Sequence, residues 1–174
     1  MCYLGTNSEI EEKIFDKENP KFCIEKFDKN NFDKNTFKSE FVYYIGTSFG
    51  CGCGFGFEEI PQTIIDKAKY FVQRKLEIPE NLSDYFAGEN SIEEIEETVN
   101  ESKIFFEDTN KFYSLILEKL NKDKSIEFFG CWDGTEKNKI DKTLELTIND
   151  KITKIEFREF WDFNVKINYK KMKI

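Results

Sequence analysis

Two cysteines alternating with glycines, Gly50-Cys51-Gly52-Cys53-Gly54, have the most distinctive chemical spacing in the chain. In an extended segment, residues two apart point to the same side, so both thiols would share one face. Glycine permits positive φ and lets backbone N–H groups approach closely, and N–H groups aimed at sulfur favour the thiolate. Cys51 and Cys53 are therefore candidate nucleophiles, with Gly50, Gly52 and Gly54 shaping the loop. A disulfide between residues this close would be strained and easily reduced. The competing structural reading is a tight hairpin or bulge whose cysteines fill space as small apolar side chains.

Two further thiols could join them. Cys131 ends a predicted strand and Cys2 lies on the first one. If those strand ends converge on the loop, four thiolates could hold zinc. The spacing contains no Cys-x-x-Cys pair, so core thiols remain the alternative. Trp132-Asp133-Gly134 follows Cys131 and suits a turn in which Asp133 bonds its own backbone. Trp132 and Asp133 are the candidate partner contacts, an exposed indole being a common anchor.

Missing residues narrow the chemistry further. The 174 residues include no histidine, which removes Ser-His-Asp and Cys-His hydrolysis and His-ligated zinc catalysis. The chain has no P-loop. The Gly-x-Gly spacing at Gly50 opens no capped helix that could receive a phosphate. Two catalytic carboxylates cannot be chosen from 34 acidic residues by spacing alone. The balance favours a protein that is not an enzyme.

The formal charge is −8 and the sequence pI is near 4.9. Phosphate backbones and anionic lipid need clustered positive charge, so neither nucleic acid nor a membrane surface is an expected partner. A basic protein is. No apolar run approaches the roughly 20 residues that span a bilayer, and Met1-Cys2 leaves no room for a secretory leader. A cytoplasmic protein with five reduced cysteines is expected, and the odd count agrees.

Positioning these residues requires strands at both ends of the chain and helices between. Cys2–Gly5, Phe22–Phe27 (an edge) and Phe41–Gly46 read as strands. Residues 16–40 read as a surface loop pinned by spaced Phe rings, with Phe27-Asp28-Lys29-Asn30 echoed by Phe32-Asp33-Lys34-Asn35. Pro61 can open a helix that continues through Leu76 and stops at Pro79. Ser91 and Glu94 form a capping-box pair, and a further helix is predicted over Thr109–Lys122. Ile126 and Phe128, then Leu144, Leu146 and Ile148, then Ile155 and Phe157 alternate as strands. Phe160-Trp161 breaks the phase, and Phe163, Val165, Ile167 and Tyr169 resume it. The class is α+β: an antiparallel or mixed sheet with a C-terminal meander, packed against about three helices. One domain over 1–174 accommodates this length, with 61–88 as a variable insertion.

Two resemblances attach to these motifs. Met1-Cys2 resembles the opening of class II glutamine amidotransferases, whose N-terminal cysteine uses its own amine as base. The Asn-Gly oxyanion element of that family has no counterpart here. Met1-Cys2-x-Leu4-Gly5-Thr6, Tyr44-Ile45-Gly46-Thr47-Ser48-x-Gly50-Cys51-Gly52-Cys53-Gly54-Phe55 and Trp132-Asp133-Gly134 together resemble a set of small bacterial proteins sharing an N-terminal Met-Cys and a Gly-Cys-Gly-Cys-Gly-Phe loop. That resemblance implies no activity. The expected function is a small thiol protein with a redox-responsive or metal-binding loop; the alternative is an acidic protein-binding module of inhibitor or immunity type.

Overall fold

A computed structural model describes residues 1–52, 55, 59–86, 88–148 and 164–171. The chain divides into two compact units, one of Met1–Phe55 with Asp108–Ile174 and one of Gly56–Glu107. The segment 61–88 lies in the second. Among the described residues, no helix is long and apolar enough to cross a membrane.

The first unit is built on a mixed sheet of six strands: β1 (Cys2–Thr6), β2 (Cys23–Lys26), β3 (Phe41–Gly46), β4 (Ser125–Gly130), β5 (Lys142–Ile148) and β6 (Val165–Lys171). Their order is β2-β3-β1-β4-β6-β5. The first strand of the sequence is thus central, and β2 is an edge, as its short polar-flanked run implied. β1 pairs antiparallel with both β3 and β4, so β3 and β4 run the same way and end at the same end of the sheet.

The strand order corrects one expectation. The last three strands do not form a meander among the described residues: β6 lies between β4 and β5, and β5 runs parallel to β6. A parallel neighbour needs a crossover of a dozen residues or more rather than a hairpin. The intervening residues 149–163, with the alternation at Ile155 and Phe157, the break at Phe160-Trp161 and Phe163, lie outside the described residues.

Both faces of the sheet are covered. On one, Leu4, Tyr43, Ile45, Phe128 and Ile167 pack with Phe112, Ile116 and Leu120 of the long helix α3 (Ile92–Asp123). On the other, Tyr3, Val42, Tyr44 and Phe129 pack with Phe32 and Phe37 from the loop before β3. The echoed sequence there is an echoed structure. Asp28 and Asp33 each accept a hydrogen bond from the backbone two residues on, at 2.9 Å. Each such Asx turn returns a ring to the sheet: Phe27 and Phe32 lie 4.9 and 4.8 Å from Tyr3, and Phe32 lies 4.9 Å from Phe37.

In the second unit, α1 (Gln62–Gln73) and α2 (Glu80–Phe86) join the first part of α3 around Ile65, Ala68, Phe86, Ile95 and Val99. α1 starts after Pro61 but stops before Leu76. Lys75 adopts φ 56°, and Lys75 and Leu76 donate back to Val72 and Phe71 at 2.9 and 3.0 Å. Those two bonds satisfy the last carbonyls of the helix, so Leu76 lies outside it. α3 opens with the capping box read from the sequence: Ser91 Oγ accepts from the Glu94 N–H, and the Glu94 carboxylate accepts from the Ser91 N–H, both at 3.1 Å. The two helices expected over 91–122 are one, because no Gly or Pro interrupts 92–123.

Candidate functional site

The pairing register places the described cysteines at one end of the sheet. Cys2 opposes Ile45 and Gly130, and Cys23 opposes Gly46. Cys131 follows β4 directly; its N–H donates to the Met1 carbonyl at 3.0 Å, and the Met1 ammonium donates to the Cys131 carbonyl at 2.6 Å. Cys51 sits in the loop leaving β3 at that same end. Trp132 and Asp133 leave β4 there, both exposed. Cys53 and Gly54 lie outside the described residues.

That loop is held at several points. The Thr47 N–H and hydroxyl both donate to the Cys51 carbonyl, at 2.8 and 2.9 Å. The Gly50 N–H closes a tight turn on the Thr47 carbonyl at 2.8 Å. Gly50 has φ 75°, which favours glycine, and Phe15 would lie 2.9 Å from any Cβ there. The Tyr44 hydroxyl donates to the Gly50 carbonyl at 2.9 Å. The Ser48 N–H donates to buried Asp108 at 2.6 Å, and Asp108 also pairs with Lys111 at 2.8 Å. Cys2 completes the clamp, its thiol donating to the Gly52 carbonyl at 3.4 Å.

The sulfurs differ in state. Cys51 is half-buried and disulfide-bonded, which replaces the expectation of five reduced thiols. Cys2, Cys23 and Cys131 are free and buried. Burial pushes the Cys2 thiol from an ordinary 9.0 up to about 12, against the opposing pull of the nearby N-terminal ammonium. Burial, with the Glu136 charge adding to it, pushes Cys131 up to about 11. Burial raises Cys23 as well. An acid with pKa near 12 is ionised in only about one molecule in 10⁵ at pH 7, so these thiols are poor nucleophiles in the native state.

The topology brings the cysteines to one end without bringing the free thiols together. Cys2 packs on the α3 face with Leu4 and Ile45, whereas Cys23 and Cys131 pack on the opposite face with Tyr3 and Phe129. Among the described residues, no three His, Cys, Asp or Glu side chains gather as metal ligands.

Several residues that build this end were not among the site candidates drawn from the sequence. Tyr3 is fully buried, and its hydroxyl donates to Glu136 at 2.8 Å. Tyr44, Thr47 and Asp108 fix the loop, and Asp108 lies 57 residues beyond Cys51 on a different element. Only alternation could have found Tyr3 and Tyr44, by placing them on one face with Phe129. No protein-family model matches the chain, and no curated protein or solved structure matches it.

Proposed function

We propose that the protein is a small thiol–disulfide protein in which the loop bearing Cys51 changes redox state while the remaining sulfurs stay shielded. The observation that carries this reading is the contrast between Cys51, disulfide-bonded and partly accessible, and three buried thiols held protonated by their surroundings. We assign Cys53 as the partner of Cys51.

The chemistry is thiol–disulfide exchange. A thiolate from a small-molecule thiol attacks the Cys51 sulfur, the S–S bond breaks, and the released Cys53 thiolate takes a proton from water. A second external thiol attacks the mixed disulfide at the external sulfur. The products are two protein thiols and one external disulfide, so two electrons and two protons enter the loop. Thr47, Tyr44 and Asp108 hold the loop backbone during this exchange, and Cys2 is not consumed. Redox titration of the native protein in glutathione buffers, read by intact mass after alkylation, tests it. The expected result is a reversible gain of two labelled thiols within the peptide that contains Cys51 and Cys53; failure of that peptide to change state across the titration would dispose of the proposal.

A further inference from the structure

The net charge of the chain belongs to the helical unit alone. Residues 56–107 carry thirteen acidic and five basic residues, a net of −8, while the sheet unit carries twenty-one of each and is neutral. Within α3, Glu93, Glu97 and Glu101 recur at four-residue steps and are exposed. Like charges at that spacing repel, so folding alone gives no reason to concentrate them.

The same unit holds a cavity of about 700 Å³, within the roughly 300–1,000 Å³ range of ligand sites. Val72, Leu76 and Ile78 supply apolar wall, Glu77 and Glu89 supply carboxylates, and Lys75 supplies one ammonium. Leu76 is 50% exposed, an apolar side chain left at the surface where α1 has ended. Glu89 accepts the Thr98 hydroxyl through Oε1 at 2.9 Å, and its Oε2 is buried from solvent.

We propose that this cavity, in a unit of net charge −8, is a docking surface for a basic amphipathic segment of a partner protein. An apolar side chain of that segment packs against Val72, Leu76 and Ile78, and a lysine or arginine reaches the exposed Glu77 carboxylate. A single small amine would compensate one negative charge of the eight, whereas a segment with several cations matches the whole field. Nucleic acid, itself a polyanion, is repelled. This surface is separate from the Cys51 chemistry, and either can fail without the other.

The probe is a fluorescent helical peptide of leucine and lysine. Controls are a peptide of equal charge with serine for leucine, and arginine amide. Fluorescence anisotropy should show binding of the leucine–lysine peptide, weakening about tenfold or more between about 50 and about 300 mM salt. Amide NMR shifts should fall within residues 62–107. Leu76→Asp should lower affinity several-fold although it adds a negative charge, with the melting temperature of the variant confirming that it folds. Equal binding of the serine–lysine peptide, unchanged affinity in Leu76→Asp, saturation of the same shifts by arginine amide, or no binding at all would each overturn the proposal.

Discussion

The sulfur of Cys2 occupies the space that Gly52 leaves by having no side chain. A Cβ on Gly52 would lie 2.8 Å from the Cys2 backbone nitrogen and 2.9 Å from both Cβ and Sγ of Cys2. The nitrogen belongs to the central strand β1 and cannot yield without disturbing its pairing on both sides. Gly52→Ala should therefore destabilise the protein by about 1–3 kcal/mol and lift the loop from Cys2. Urea denaturation checks the first effect. Faster alkylation of Cys2 in the folded variant than in the parent checks the second.

Alkaline pH should weaken the fold. Cys2 and Cys131 titrate near 9.0 when unfolded and near 12 and 11 when folded. Between those values the unfolded chain has lost thiol protons that the native chain keeps. Fewer protons bound in the unfolded state give a negative slope of stability with pH, by up to about 1.4 kcal/mol per pH unit per group. Burial raises the Tyr3 and Tyr44 hydroxyls too, with the same sign. The urea midpoint should hold steady from about pH 6 to about pH 9 and fall above that, and Cys2→Ala should flatten the fall. A midpoint that rises with pH would contradict the assignment.

Glu127 anchors the Phe-bearing loop. One oxygen accepts the Lys38 N–H, Ser39 N–H and Ser39 hydroxyl at 2.8, 2.8 and 2.6 Å, and the other accepts the Lys166 ammonium. Burial pushes its pKa up, but the Lys166 and Ser39 donors outweigh burial and hold it below the usual carboxylate value. The pair contributes stability above pH 4.5 that is lost as acid protonates Glu127. Glu127→Ala leaves a buried ammonium unpaired, at an expected cost of about 3–5 kcal/mol. The double change with Lys166→Met should recover much of that loss. Chemical denaturation of the single and double variants gives the comparison.

Phe32 sits among Tyr3, Phe27, Phe37 and Phe129, with ring centroids from 4.8 to 6.3 Å away. Truncation to alanine should cost about 3–5 kcal/mol and loosen the ring cluster around Tyr3, seen as a loss of near-UV circular dichroism. The solvent-side Lys34→Ala, one turn further along the same loop, should change stability by less than about 0.5 kcal/mol.

The strands were legible because period-two alternation survives in short runs: Cys2–Gly5, Phe41–Gly46 and Val165–Tyr169 all fall within observed strands. Their order was not, since the long-range pairing of β6 with β4 leaves no local trace. The continuity of α3 through 100–108 was hidden because buried positions there are polar: Ser102 and Asp108 replace the apolar residues that mark a helical stripe. The Phe echo announced a pinned loop but not that its rings cover a second sheet face. Had that been read, Glu127, two residues before Phe129 and on the same face, would have stood out as a buried charge.

The site was legible in residue type and not in environment. Cysteine among glycines pointed to the loop, and the topology did collect the described cysteines at one end of the sheet. Which sulfurs are accessible depends on partners far away in sequence, the Cys2–Gly52 contact, Asp108 and the Met1–Cys131 pairing among them. Spacing alone could not separate Cys51 from the three thiols that burial keeps protonated.

Thiol counting by intact mass tests the central claim most directly. The native, oxidised protein should take up no alkylating label at neutral pH. Mild reduction should admit two labels quickly, both in the peptide holding Cys51 and Cys53, and the three buried thiols should react only on unfolding. Rapid labelling of Cys2, Cys23 or Cys131 in the native state, or a loop peptide that gains no label on reduction, would contradict the account.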